Sequence, residues 1–488
     1  MSQGDFNRPI GDIVTLLDST PRDFQDGDLF PLSSDTTWWL PDATRRIQPY
    51  SLSIQQFPFR GPTGFGQRFT FDIASVSCGD LLSAIFVQIE LSHWLDDTTI
   101  LRLQSGKYVY GPGEDQWFYA NSLGTVIVEK AEFEVNDQTL ETIDGDCMNV
   151  ISRLFSSINS QYGVGIDGLG RTPLAPGAAS FSPYPTQSGT LMIPLPFFFA
   201  RVALQESFPL LAVKEGSVRV HITLRPFHEC VRILTANGAS RRDCLTQTPL
   251  DTPFTFTTAP PANQVTVQSS ATPPTFKKIQ LLTYSAHTDG SMRQQILRKP
   301  FEVMTRTFNT FTFSEPLKYV INKTASDVIQ VQLPLEVNHP MEEILWFIRR
   351  KATANTNEWN NYSSVLEQEY DPVFNPRRPL LRSAAIQCNG IDLIRTDETW
   401  FRQHISRTHA GGFAAYENFI YGYSFATSPG QHQPSGTANA SRLQTIRLTL
   451  DVCPPGGGFE QEWEVKVFVS CLEWIRFQDG LCNRMFID

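Results

Sequence analysis

The residues of this chain that could do chemistry do not gather into a reaction centre. Among eight histidines, His404 and His409 lie five apart on a helical stretch, off the shared i, i+4 face. His432 sits in a Pro/Ser/Gly connector, HQPSG, with no partner at metal-ligand spacing. Carboxylate pairs fare no better. Glu342 and Glu343 are adjacent and would face opposite ways on a strand, whereas Glu367 and Glu369 would share a face in a polar, solvated stretch, SSVLEQEYDP. The run GVGIDGLG spaces Gly163, Gly165 and Gly168 as a dinucleotide loop does, but no apolar helix follows it. Nucleophile elbow, HExxH and Walker loop are missing from the sequence. We expect no catalytic residue, no metal site and no cofactor, hence no enzyme.

Two further groups are candidates of another kind. Sequons place possible N-glycans at Asn322, Asn361 and Asn439, although a Ser/Thr-rich chain of this length carries roughly three by chance. The cluster PxPFFF, with Pro194, Pro196, Phe197, Phe198 and Phe199, has two readings. Its rings fill the core, or Pro196, Phe197 and Phe198 anchor an interface, where aromatics are enriched. The prolines mark a strand start or edge.

Bulk properties set the frame. The chain has 488 residues, 41% of them hydrophobic and 18% charged, which is an ordinary globular balance and long enough for two domains. Thirty-five Phe, with 33 Pro and 31 Gly, lean towards strands and turns. A net charge of −10 argues against coating nucleic acid by phosphate neutralisation. Eight cysteines are scattered singly, the N-terminus lacks a signal-peptide pattern, and the longest apolar run, LMIPLPFFFA, holds two prolines and cannot cross a bilayer. Reduced thiols are expected.

The elements come in a repeating order. Gln67–Ile89 lies on Asp327–Arg349 without a gap at an offset of 260, with Phe69, Phe71 and Ile73 on Ile329, Val331 and Leu333, and Ile85, Phe86 and Val87 on Leu345, Trp346 and Phe347. FEVNDQTL from Phe133 falls on IQCNGIDL from Ile386 at 253, and VHITL from Val220 on IRLTL from Ile446 at 226. So long a period means two similar domains in tandem. Asn136-Asp137 and Asn389-Gly390 are hairpin turn signals. A short helix follows each, capped by Asp144 and Asp397. The drop in offset leaves extra residues in the first half, within the Gly/Pro-rich loop 163–190, and a Thr/Pro-rich stretch at 235–274 holds the junction. This predicts an extended N-terminal arm over 1–60, with ordinary strands of the first domain as the equal alternative there, a first domain over 61–255 and a second over 256–488 that opens on KKIQLLTYSA. Phe71 and Val467 are expected core positions. The fold class is all-β: two tandem eight-stranded jelly rolls with short helices and long inter-strand loops, other eight-stranded barrels sharing the same local pattern.

Five segments, in order, carry a resemblance. GDLLSAIFVQIEL from Gly79, YANSLGTVIVEKAEFEVNDQTLETIDG from Tyr119, MIPLPFFFAR with FPLLAVKEGSVRVHITLR, VNHPMEEILWFIR from Val337, and YSFATSPGQHQPSGTANASRL from Tyr423 resemble the major capsid proteins of nucleocytoplasmic large DNA viruses, the iridovirus and phycodnavirus group. The resemblance implies a structural protein. It implies homotrimers of pseudo-hexagonal outline, which meet neighbouring capsomers and minor capsid proteins and tile an icosahedral virion shell. It further implies an internal membrane nearby that the chain does not span, no direct contact with nucleic acid, and assembly in the host cytoplasm. The alternative is a secreted tandem jelly-roll protein that binds or cleaves glycans, for which a secretion signal and paired cysteines would be expected.

Overall fold

The computed structural model describes residues 49–74, 78–92, 116–155, 189–201, 206–214, 216–234, 240–241, 255–258, 265–268, 275–314, 328–366, 373–374, 376–409, 419–453 and 462–485. All but Pro49 belong to one compact unit, Tyr50–Asp488.

Strand formation follows side-chain alternation. Arg68–Ile73 (RFTFDI) buries every second residue, and Phe69, Phe71 and Ile73 point inward. Eight such strands make the first sandwich: β1 Tyr50–Pro58, β2 Arg68–Ile73, β3 Leu81–Glu90, β4 Val128–Val135, β5 Gln138–Asp144, β6 Thr190–Leu195, β7 Val218–Leu224 and β8 Lys278–Thr288. They pair antiparallel in two sheets, β1-β8-β3-β6 and β2-β7-β4-β5. The second sandwich has β9 Phe301–Phe313, β10 Ile329–Pro334, β11 Pro340–Arg350, β12 Leu381–Cys388, β13 Ile391–Asp397, β14 Ile420–Ser424, β15 Ile446–Val452 and β16 Trp463–Gln478. Its sheets run β9-β16-β11-β14 and β10-β15-β12-β13. Both sandwiches share one permutation, first-eighth-third-sixth over second-seventh-fourth-fifth, and this is the jelly roll.

Among the described residues, the three longest helices attach at matching or linking positions. α1 (Gly145–Leu154) follows β5, and its N-cap Asp144 accepts the Cys147 amide at 2.7 Å. α3 (Glu398–Thr408) follows β13, capped by Asp397 on the Trp400 amide at 3.1 Å. α2 (Gly290–Arg298) joins the rolls, capped by Asp289 and tied back by Arg293 to Asp80 at 2.9 Å. The two hairpin turns are two-residue turns in which Asn136 and Asp137, and Asn389 and Gly390, all have positive φ. That pair of left-handed residues is the primed turn whose twist matches the strands.

Two boundaries differ from the sequence expectation. KKIQLLTYSA is the closing strand of the first roll: β8 lies between β1 and β3, with Leu281 opposite Val87 and Phe57. Residues 50–58, placed in the arm, are its opening strand. Local pattern marks both as strands, but only non-local pairing says which sheet they join. The ungapped offset of 260 also slips in one place. Each third strand carries an irregularity, between Leu82 and Ala84 in β3 and between Met341 and Glu343 in β11. Aligning these matches Ala84 with Glu343, an offset of 259, and sets Val87 on Trp346. One residue of slip exchanges the faces of a strand.

Aromatic rings fill the sandwiches. Phe133 sits 4.9 Å from Phe199, 5.2 Å from Phe208 and 5.5 Å from Phe197. Trp346 packs edge-on to Phe401 at 5.2 Å, which ties α3 to its own roll. Cys147, Cys230, Cys388, Cys453 and Cys482 are free thiols, and Cys244 lies outside the described residues. Burial pushes the Cys482 thiol up to about 12.

Candidate functional site

The most unusual chemistry of the molecule lies between the rolls. β11 is buried along its whole length except for a half-buried Pro340, because the second roll's inner sheet covers one face and the first roll covers the other. A strand covered on both sides should be apolar, yet β11 carries Glu342, Glu343, Arg349 and Arg350, and β16 carries Lys466. Buried charge is costly unless paired, so each of these must find a partner, and several find it on the first roll.

At one end of the seam, Asp146 of α1 accepts two bonds from the Arg349 guanidinium, 2.8 Å from Nη1 and 3.2 Å from Nη2. The ammonium of Lys466 donates to the same carboxylate at 2.8 Å and also to Asp144. Arg349 further donates to Glu464 at 2.6 Å and to the Trp359 carbonyl at 2.7 Å. Burial alone would raise the Asp146 pKa, but Arg349 and Lys466 outweigh it and hold the carboxyl far below its ordinary range. Burial likewise opposes charge on Lys466, and Asp146 and Asp144 overcome it and raise its pKa. Asn149 donates to the Tyr362 hydroxyl at 2.8 Å, and burial pushes that phenol up to about 12.

At the other end, the PxPFFF cluster meets β9. Glu141 of β5 accepts from the Phe198 amide at 2.7 Å and from Arg201. Arg201 reaches across the seam to the Arg306 carbonyl at 2.6 Å and lies over the Phe308 ring at 4.6 Å. Arg306 in turn donates to Glu206 of the first roll at 2.9 Å and to Glu342 at 2.8 Å. Burial raises the pKa of Glu141 against the opposing pull of Arg201, and that of Glu342 against Arg306. Phe155, just past α1, packs on Phe308 at 6.4 Å and on His409 at 4.8 Å. His409 faces Glu343 at 2.8 Å, and this carboxylate raises its pKa in spite of burial. Near the C-terminus, Arg484 donates to the Leu140 carbonyl, and Phe477 meets Phe208 at 5.5 Å. The whole is a set of charge-assisted bonds that fixes the angle and distance between the two rolls.

Sequence candidates fall as follows. Phe197 and Phe198 are buried within the chain, so no ring is left for another molecule; the cluster does line an interface, but the internal one, since Phe198 lines a small cavity with Arg201, Arg306 and Phe308. Pro196 is half-buried and its carbonyl accepts from Arg201 at 2.8 Å. Asn361 spends its amide on Glu358 and Val365 and its carbonyl on Ser363, a poor glycan acceptor. Asn439 is exposed and caps Ser441. Asn322, Glu367, Glu369, the glycine run 163–170 and most of the loops 163–190 and 235–274 lie outside the described residues. His404 accepts the Ser424 amide at 3.2 Å and is separate from the His409 pair. Among the described residues no group of His, Cys, Asp and Glu could hold a metal ion, and no helix is long and apolar enough to cross a membrane. The ion pairs of the seam were missed. Their one signal was charge inside apolar runs, EEILWFIRR and WEVKVFVS; the partners lie 203 and 320 residues away.

Comparison with known proteins closes the description. Residues 303–457 match the family model for the large eukaryotic DNA virus major capsid protein, and residues 43–267 match that for the major capsid protein N-terminus. The chain is 22% identical over 458 residues to the major capsid protein of Pyramimonas orientalis virus, covering 90% of both. Its fold is similar to that of the Faustovirus major capsid protein, at a TM-score of 0.65 and 12% identity over 97% of this chain and 100% of the other. It is also similar to the chain in a quasi-atomic model of the PBCV-1 virus capsid, with a TM-score of 0.65 and 16% identity over 92% and 100%.

Proposed function

The chain belongs to the major capsid proteins of large eukaryotic DNA viruses, and from that premise we propose that it works by self-assembly as a homotrimer. It is a structural protein of an icosahedral virion shell. Three chains supply six rolls, and a ring of six similar bodies has a nearly hexagonal outline under threefold symmetry. Such rings tile facets by contact with neighbouring capsomers, and with minor capsid proteins at the joints. The protein carries out no reaction, holds no cofactor and meets no nucleic acid. Assembly takes place in the host cytoplasm over an internal membrane that the chain does not enter.

The observation that carries this reading is the seam. Two rolls held by Asp146, Arg349, Lys466, Glu141, Arg201 and Arg306 form one rigid building block, and a ring closes only if each block spans a fixed angle. Rolls on a loose tether would close into rings of mixed size. Light scattering on the purified chain tests it: the expected mass is about 165 kDa, three times 55.0 kDa. A stable mass of 55.0 kDa at micromolar concentration would overturn it.

A further inference from the structure

The duplication lets one interface foretell another. Within the chain, the contact between rolls is heterologous: the β5–α1 side of the first roll meets the outer face of the β9-β16-β11-β14 sheet of the second. Each roll has both of these surfaces. Only one of each is used inside the chain, so one of each is left over.

Equivalent residues show how differently the two copies are covered. Leu140 and Leu393 occupy the same irregular position in β5 and β13, at an offset of 253. Leu140, under Arg484 of the second roll, is 1% exposed, and Leu393 is 49% exposed. α1 buries eight of its ten residues, whereas α3 buries Phe401 and Ile405 only. Trp400, the counterpart of Cys147, is 36% exposed and heads a stack with His404 at 4.8 Å that continues to Tyr423 at 5.5 Å. The opposite surface tells the same story. Beside the irregularity in each third strand, the rows Ile54–Tyr284–Ala84 and Phe308–Ser470–Glu343 are equivalent. Phe308 is 8% exposed beneath Phe155, and Ile54 is 63% exposed. Leu52 and Tyr50, further along the same face of β1, are also open. Apolar side chains on an edge strand are a liability unless something covers them.

We propose that the β13–α3 side of the second roll, with Leu393 and Trp400, receives the outer face of β1, with Leu52 and Ile54, from a second copy of this chain. This rests on the trimer reading and gives it its contact. The new junction repeats the internal one, roll two to roll one of the next chain, so each chain donates one face and accepts with the other. A heterologous contact of this kind closes when its rotation divides the circle, and it differs in chemistry from the seam. Glu90 stands where the second roll has Arg349, but positions 52, 84 and 280 are Leu, Ala and Gln against Arg306, Glu343 and Lys466, so the junction between chains is more apolar and less ionic than the one within.

The test uses the full chain with two substitutions on exposed positions, Ile54→Asp and Leu393→Asp. Circular dichroism should match wild type, since neither side chain packs inside a roll, and the thermal transition should fall only by what the lost assembly contributed. Alone, each variant should fall from about 165 kDa to 55.0 kDa at micromolar concentration. Mixed in equal amounts, the two should give a species of about 110 kDa, because the intact face of one meets the intact face of the other once and no ring can close. Trimers in either variant, or a mixture that stays monomeric while wild type is trimeric, would overturn the surface assignment and leave the trimer standing. A wild type that is itself monomeric would remove both.

Discussion

Removing one carboxylate from the seam should cost more than any exposed ion pair could. Asp146 and Arg349 are each 6% exposed in their side chains, and Lys466 is 11%. Asp146→Asn keeps the shape and deletes the charge that both cations share. Breaking a buried pair by removing one partner costs roughly 3–5 kcal/mol. Here Arg349 retains Glu464 and the Trp359 carbonyl, and Lys466 retains Asp144, so the low end applies, about 3 kcal/mol. For about 440 residues the unfolding entropy is roughly 0.9 kcal/mol/K, which turns that loss into a fall in Tm of about 3 °C. Differential scanning calorimetry at one fixed protein concentration reads it, since assembly itself shifts the transition. Arg349→Met should cost a similar amount. The double variant should cost about 4 kcal/mol rather than 6, a coupling of about 2 kcal/mol. A coupling under about 0.5 kcal/mol, or a Tm within about 1 °C of wild type for Asp146→Asn, would refute the view that this cluster locks the rolls.

Other outcomes follow from the same groups. The pH profile of Tm should rise and then fall as acid is added. Raised pKa values at Glu141, Glu342 and His409 mean stability that is lost as pH climbs through their folded values, so moving from pH 8 to about 5 should stabilise. The depressed Asp146 acts the other way, contributing stability above the ordinary carboxylate value of about 3.9 and losing it below, so Tm should drop under about pH 4. A steady decline from pH 7 to 5 would contradict this. In the cores, Phe71→Asp or Val467→Asp places an unpaired charge where wild type is fully or nearly fully buried and should yield insoluble protein; native-like soluble expression of either would put the strand phase in error.

Much of the fold is legible before any coordinate. Alternation marks β2 and β16, the Asn-Asp and Asn-Gly turns mark both hairpins, and Asp144 and Asp397 announce the helices they cap. These features are local, and local chemistry decides them. What the pattern misassigns is membership. β1 and β8 read as strands but pair with each other across some 230 residues, a choice made by sheet closure and invisible to a window of ten. Charges in β11 and β16 look like errors in apolar strands until α1 of the other roll is brought against them. The PxPFFF rings show the same limit: their identity says buried aromatic, and only the packing says that the interface they line is internal.

The pairing of β1 with β8 also bears on how the protein is made. Ser53 and His287 are 234 positions apart and hydrogen-bond at 3.0 Å. At translation speeds of about 5–20 residues per second, the first roll emerges for roughly 12–46 seconds before its closing strand exists. During that interval β3 lacks its central neighbour, and β1, with Tyr50, Leu52 and Ile54 on it, has no partner strand at all. A nascent chain in a crowded cell thus holds open a sticky strand edge for roughly 12–46 seconds, so its yield depends on what shields that edge before residue 288 leaves the ribosome.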